Sequence, residues 1–237
     1  MQFVEVSKYY GENCVFDHFS LEVEPKTILS VVGPSGEGKT TLLHLASGLV
    51  SCDGGRVAKE ESEQGPISYL FQEPRLLPCS TVLANVELAL RSSLHGRVLQ
   101  REIALKYLHL VGLEDSLSLY PSELSGGMRQ RVAIARAFAH PCNLMLLDEP
   151  FQSLDIKLKY SLLTAFAKLW EQEKKTTLFV THDPKEAILL GDAVCCLGNP
   201  TKPLLHQQIK IPRNARNFND PTLMALEAEL VEALVNA

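Results

Sequence analysis

Residues 33–40 read Gly33-Pro34-Ser35-Gly36-Glu37-Gly38-Lys39-Thr40, and this octapeptide constrains the fold more than any other stretch. It satisfies G-x-x-x-x-G-K-[ST], a loop that cradles phosphates and requires a strand entering it and a helix leaving it. Both are present in the sequence. The apolar run Thr27-Ile28-Leu29-Ser30-Val31-Val32 predicts a buried strand, and residues 40–48 predict a helix. Glycines tolerate positive φ, so backbone N–H groups can turn inward, and the helix N-terminus aims partial positive charge at an anion. Lys39 supplies a point charge for β- and γ-phosphates, and Thr40 a hydroxyl for Mg²⁺. The binding set extends from Gly33 through Thr41. A glycine-rich turn can match by accident, but strand, lysine and threonine together count against that. The chain is expected to bind a nucleoside triphosphate.

At 237 residues the chain fits one large α/β domain or a domain with a small satellite. A net charge of −5 argues against a nucleic-acid binder held by a broad basic surface. No apolar run approaches the roughly 18 residues that span a bilayer, and the start Met-Gln-Phe-Val-Glu-Val lacks the layout of a secretion signal. The expectation is a cytoplasmic protein, held at a membrane only through a partner. Six cysteines stand at 14, 52, 79, 142, 195 and 196 without a C-x-x-C spacing, so buried reduced thiols are expected. Cys195 and Cys196 are adjacent on a predicted strand and should face opposite ways.

Short strands are predicted at 3–6, 20–23, 27–32, 55–58 and 67–71. Residues 73–122 change character: Val82, Val86 and Leu90 recur at helical spacing, as do Leu99, Ile103, Tyr107 and Leu110. Two helices are expected there, their apolar stripes being ordinary core. Beyond Ser125 the pattern alternates: helix to about Ala139, strand 143–147, helix 157–173, strand 176–180, helix 185–190, strand 193–197. Such alternation implies a mainly parallel sheet covered on both faces. The division expected is a sheet core (1–72 and 123–220), a helical subdomain (73–122) and a closing C-terminal helix (221–237).

A second chemical signal is Leu144-Met145-Leu146-Leu147-Asp148-Glu149-Pro150. Four apolar residues bury a strand, and two carboxylates sit at its C-terminal end, where open parallel sheets place ligands. Asp148 is expected to hold Mg²⁺ through water, and Glu149 to polarise a water in line with the γ-phosphate. The third signal is Leu124-Ser125-Gly126-Gly127-Met128-Arg129-Gln130-Arg131, in which Ser125 and two glycines open an amphipathic helix as a second anion-binding N-terminus. Alone it would be an N-cap and turn.

With these three motifs in this order, the chain resembles the ATP-binding subunit of an ATP-binding-cassette (ABC) transporter over nearly all its length. The resemblance implies an α/β fold of the P-loop NTPase class: a mainly parallel sheet core, an antiparallel N-terminal β region and a helical subdomain. It implies ATP with Mg²⁺, and two cassettes packed head to tail so that Ser125, Gly126 and Gly127 of one meet the γ-phosphate bound by the other. Tyr10 matches the aromatic that stacks on adenine, where the plain alternative is a half-buried strand tyrosine. Gln72 matches the glutamine reaching Mg²⁺ and the attacking water, and His182 the histidine contacting the γ-phosphate. Ser153-Leu154-Asp155 matches the segment crossing the dimer seam, Asp155 otherwise being a helix N-cap.

Met128 departs from the family's usual glutamine, Gln152 from a small residue, and Cys79 from the tryptophan usual in its nitrate/sulfonate/taurine group; the stretch between Gly48 and Gln72 looks shortened. Lys39, Thr40, Asp148, Glu149 and His182 are all present, so an active ATPase is expected. A lone cassette suits a multi-subunit importer with permease subunits, a second cassette (an identical copy by preference) and, indirectly, an extracytoplasmic solute-binding protein. The motifs look most like the nitrate/sulfonate/taurine group. A soluble ABC-type ATPase acting on nucleic acid or the ribosome is the competing reading. Such proteins usually carry two cassettes or a long coiled-coil insertion, and no nucleic acid is expected here.

Overall fold

The computed structural model describes residues 1–237 except Ser92, Ser153 and Phe218, together with the Ser62 side chain. Two sheets enclose the first helix. The smaller is antiparallel, built from β1 (Gln2–Tyr10), β2 (Asn13–Glu22) and β4 (Gly54–Ala58) in the order β2-β1-β4. The larger holds β3 (Ile28–Val32), β5 (Ile67–Leu70), β6 (Leu144–Asp148), β7 (Thr176–Val180), β8 (Ala193–Cys196) and β9 (Leu205–Gln208). Its order is β5-β6-β7-β3-β8-β9, parallel throughout except for β9.

Strands β3, β6, β7 and β8 are buried along their whole lengths. Successive residues feed different cores, as side chains alternating across a pleat must. Leu144 and Leu146 pack toward the antiparallel sheet, with Leu42 and Leu43 of α1 (Lys39–Ser47). Met145 and Leu147 pack the other way, against the helices α2 (Val82–Leu90), α3 (Arg97–Leu110), α4 (Gly126–Ala139) and α5 (Ile156–Glu173). Cys195 joins the first core. Cys196 joins a third one, made with α6 (Pro184–Leu190) and α7 (Pro221–Val235).

Four departures from the sequence expectation have physical causes. β1 and β2 run longer than their alternation suggests, because register shifts break the period and Glu5 and His18 take positive φ. β9 escapes notice because Leu-His-Gln-Gln is polar and mostly exposed, as an edge strand can be. The cysteine expectation holds for Cys142, Cys195 and Cys196, while Cys14 and Cys79 are exposed and Cys52 is half-buried. All six are free thiols. Tyr10 is 48 % exposed at the end of β1, so it is not the half-buried strand residue that the plain alternative offered. Among the described residues no helix is long and apolar enough to cross a membrane.

A buried polar network braces the loop after β7. Glu186 accepts the Thr181 hydroxyl at 2.6 Å and pairs with Lys159 at 2.6 Å, and Asp183 lies 3.5 Å from the same ammonium. Burial pulls Lys159 down, but the Glu186 hydrogen bond and the two carboxylate charges outweigh it and leave the lysine above its ordinary value. Removing one partner strands a buried charge. Lys159→Met should therefore lower stability by roughly 3 kcal/mol, and adding Glu186→Gln should restore most of the loss. Urea unfolding of the single and double variants checks this.

Candidate active site

The C-terminal ends of β3, β6 and β7, neighbours in the sheet, bring the phosphate loop, the Asp148–Glu149 pair and His182 to one edge. From β3 the chain enters the phosphate loop. Gly36 and Gly38 take φ of +91° and +83°, where a side chain would be strained. A Cβ on Gly38 would also stand 2.7 Å from Val15 Cγ1. Gly33 is glycine for a different reason: a Cβ there would lie 3.1 Å from the Leu197 carbonyl oxygen.

Helix α1 opens directly at Lys39, with Gly38 as N-cap. The Lys39 ammonium donates to the Gly33 and Pro34 carbonyls at 2.8 and 2.7 Å, and so bridges the loop from inside. Burial pushes Lys39 below its ordinary value, partly opposed by the charges of Glu149, Asp148 and Glu37. Ser35 is exposed, and Glu37 and Thr41 are half-buried.

Thr40 Oγ1 donates to Asp148 Oδ2 at 2.9 Å, joining α1 to the end of β6. Asp148 is only 3 % exposed, and burial raises its carboxyl above the ordinary value against the lowering effect of the Thr40 bond. Two hard oxygen donors thus meet where a carboxylate is short of compensation. That fits a divalent cation, because Mg²⁺ takes one or two protein ligands and completes its shell with water and phosphate oxygens.

The sign of the Asp148 shift sets a test. A carboxyl raised above 3.8 in the fold favours its neutral form, so at neutral pH its ionisation works against the nucleotide-free fold. Asp148→Asn should melt at a higher temperature at pH 7. The gain should shrink as pH falls through the raised value and vanish below about 3.8. Calorimetry across that window is the check.

Glu149 follows immediately with φ of +46°, the left-handed region that costs a branched or long side chain roughly 1 kcal/mol or more. The bend is held by Glu149 N–H donating to Val180 O at 2.9 Å. It aims the Glu149 carboxylate at His182, whose Nδ1 lies 3.0 Å from Oε2. Glu149 is 13 % exposed as a side chain and His182 54 %, so this pair forms the wet rim of a dry floor.

Gln72 lies just past β5 and donates to Gln152 Oε1 at 3.3 Å, tying the β5 end to the turn after Glu149. The same turn is anchored by Gln130 of α4, buried and donating to the Pro150 carbonyl at 3.0 Å, and by fully buried Phe151 against Phe179. Gln130 falls within the 124–131 segment, yet the sequence does not disclose its burial or its partner, since a glutamine on an amphipathic helix reads as solvated.

The remaining expected residues stand apart from this cluster. Tyr10 is on the β1–β2 hairpin, beneath the Lys8 ammonium at 5.3 Å. Ser125 caps α4 by accepting Met128 N–H at 3.2 Å, with Gly126 exposed and Gly127 half-buried. Among the described residues, no hydrogen bond or ion pair joins Ser125, Gly126 or Gly127 to residues 33–41. Asp155 is exposed and caps α5 by accepting Leu158 N–H at 3.0 Å. Ser153 lies outside the described residues.

The sequence profile described as ABC transporter matches residues 16–152, from β2 through the turn after Glu149. The aliphatic sulfonates import ATP-binding protein SsuB 1 of Rhodococcus jostii is 38 % identical over 100 % of this chain and 94 % of its own length. The SsuB protein of Shigella flexneri serotype 5b is 38 % identical over 97 % and 89 %. SsuB 1 of Paraburkholderia xenovorans is 42 % identical over 80 % of this chain, which spans about half, 54 %, of that relative. Among solved structures, a dimeric bacterial ABC transporter cassette superposes with a TM-score of 0.79 at 30 % identity, covering 89 % of this chain and 99 % of that one. A dimeric post-hydrolysis cassette bound to ADP and Pi gives 0.78 at 29 %, with the same coverage. On the profile match, the full-length identity and the shared fold, this chain belongs to the ABC transporter family, as one of its ATP-hydrolysing cassettes.

Proposed function

We propose that this chain is the ATP-hydrolysing subunit of a multi-subunit importer for aliphatic sulfonates or a similar small solute. It would work as one of two identical cassettes held by permease subunits at the cytoplasmic face of the membrane. The observation that carries the reading is the convergence of Lys39, the Thr40–Asp148 pair and the Glu149–His182 pair on one sheet edge. The relatives named as sulfonate import proteins support the direction and the class of solute.

Lys39 is already inside the loop, so it can exchange its two carbonyl partners for β- and γ-phosphate oxygens with little reorganisation. Thr40 and Asp148 would hold Mg²⁺, which supplies neutralisation of charge on the phosphate oxygens. Glu149 accepts a proton from, or orients, the water that attacks the γ-phosphorus. His182, 3.0 Å from that carboxylate, fixes its direction and can share its charge. Gln72 reads the state of this edge through Gln152.

The exposed Ser125–Gly127 turn has no phosphate to meet within its own chain. It becomes useful when a second copy presents one, with Tyr10 stacking on the base and Asp155 at the seam. ATP then joins two copies, and loss of the γ-phosphate releases them. An extracytoplasmic binding protein would hand the solute to the permease.

Reconstitution with its permease in vesicles is the test. Turnover should rise when the solute and its binding protein are added. Turnover that ignores both but responds to RNA would instead favour the nucleic-acid reading.

A further inference from the structure

At the end of β6 remote from Asp148, a cleft of about 610 Å³ opens between α3, the last turn of α4 and the β6 entry. Leu94, Ile103 and Phe138 form its walls. A narrow apolar slot continues beneath Tyr107 and Phe138 toward Phe166 and Trp170. None of these residues takes part in the nucleotide edge, and Pro66, before β5, lines this cleft while Gln72 stands past the opposite end of that strand.

The mouth is polar and incompletely paired. Lys175 is matched by Glu173 at 2.6 Å. Lys106 meets no carboxylate among the described residues, and its ammonium stands 5.4 Å from the centroid of the Tyr107 ring. The Tyr107 hydroxyl finds no hydrogen-bond partner among the described residues, although the residue is only 6 % exposed. Burial pushes that phenol up to about 12, so it stays a donor at any physiological pH.

We propose that this cleft is a second ligand site that takes a small amphiphilic anion, an alkyl chain of a few carbons ending in a carboxylate or sulfonate. The walls accept the chain; Lys106 and the Tyr107 hydroxyl accept the head. A phosphorylated or sugar-like ligand would leave most of its polar groups against Ile103 and Phe138, where nothing can pair them. The assignment is independent of which solute the permease carries.

Titration calorimetry on the full chain saturated with Mg-ADP tests it, because the phosphate loop is then filled. Hexanesulfonate should bind, with affinity rising about fourfold per methylene from butane- to hexanesulfonate. Hexanol should bind at least about tenfold more weakly, and Lys106→Glu should weaken hexanesulfonate by a similar factor. Tyr107→Phe should weaken it severalfold, and retained Mg-ADP binding shows that both variants are folded. Absence of binding at about 10 mM hexanesulfonate, or an affinity that Lys106→Glu leaves unchanged, would overturn the proposal.

Discussion

Glu149→Gln is expected to cut ATP turnover by at least about 100-fold, the lower range for loss of a positioned general base, while leaving ATP binding intact. The change keeps the size of the side chain and removes its charge and basicity. It should not disturb the bend, because the backbone of residue 149 is held by its N–H bond to Val180 and by buried Phe151 two residues later. The phosphate side is untouched, since Lys39, Thr40 and Asp148 reach the site from other positions. Mg-ATP should therefore bind, join two copies and remain unhydrolysed. Phosphate release and size-exclusion chromatography with Mg-ATP read both outcomes. Undiminished turnover would remove Glu149 from its role, and copies that stay apart would count against ATP joining the cassettes.

Lys39→Ala should act one step earlier. The buried ammonium bonds to two carbonyls of its own loop, and burial holds it below the ordinary lysine value. Its charge is thus a strain on the unliganded fold, and becomes favourable when phosphate oxygens replace the carbonyls. ATP affinity should fall by about 100-fold, the scale expected for removing one buried charge-assisted hydrogen bond, with the unliganded melting temperature little changed. Equilibrium dialysis and thermal melting separate the two effects. A large fall in melting temperature with ATP affinity preserved would show that Lys39 is a structural brace instead.

Much of this architecture is legible in the residues because its strands are buried on both faces. Leu144-Met145-Leu146-Leu147 and Thr177-Leu178-Phe179-Val180 are short apolar runs that read as strands of a covered sheet, and they are. The octapeptide at 33–40 is read as a loop from its glycines, lysine and threonine, and Gly36 and Gly38 do take positive φ just before the helix that opens at Lys39. Where a residue's meaning depends on a neighbour distant in the chain, the letters are silent. Gln130 looks like solvated helix surface until Pro150 is placed against it. Glu186 and Lys159 look like ordinary surface charges until Thr181 and Asp183 close around them. β9 has no apolar pattern at all, because an exposed edge strand is held by backbone hydrogen bonds to β8.

By itself the amino-acid sequence determined the strand–loop–helix that cradles phosphates, the carboxylate pair at a strand end and the mainly parallel character of the core sheet. These are local consequences of glycine stereochemistry, side-chain polarity and hydrophobic period. Only the tertiary structure decided that Thr40 meets Asp148 and that Glu149 is bent toward His182. Those outcomes depend on segments far apart in the chain. Their geometry is set by how sheet and helices pack, which no local pattern encodes.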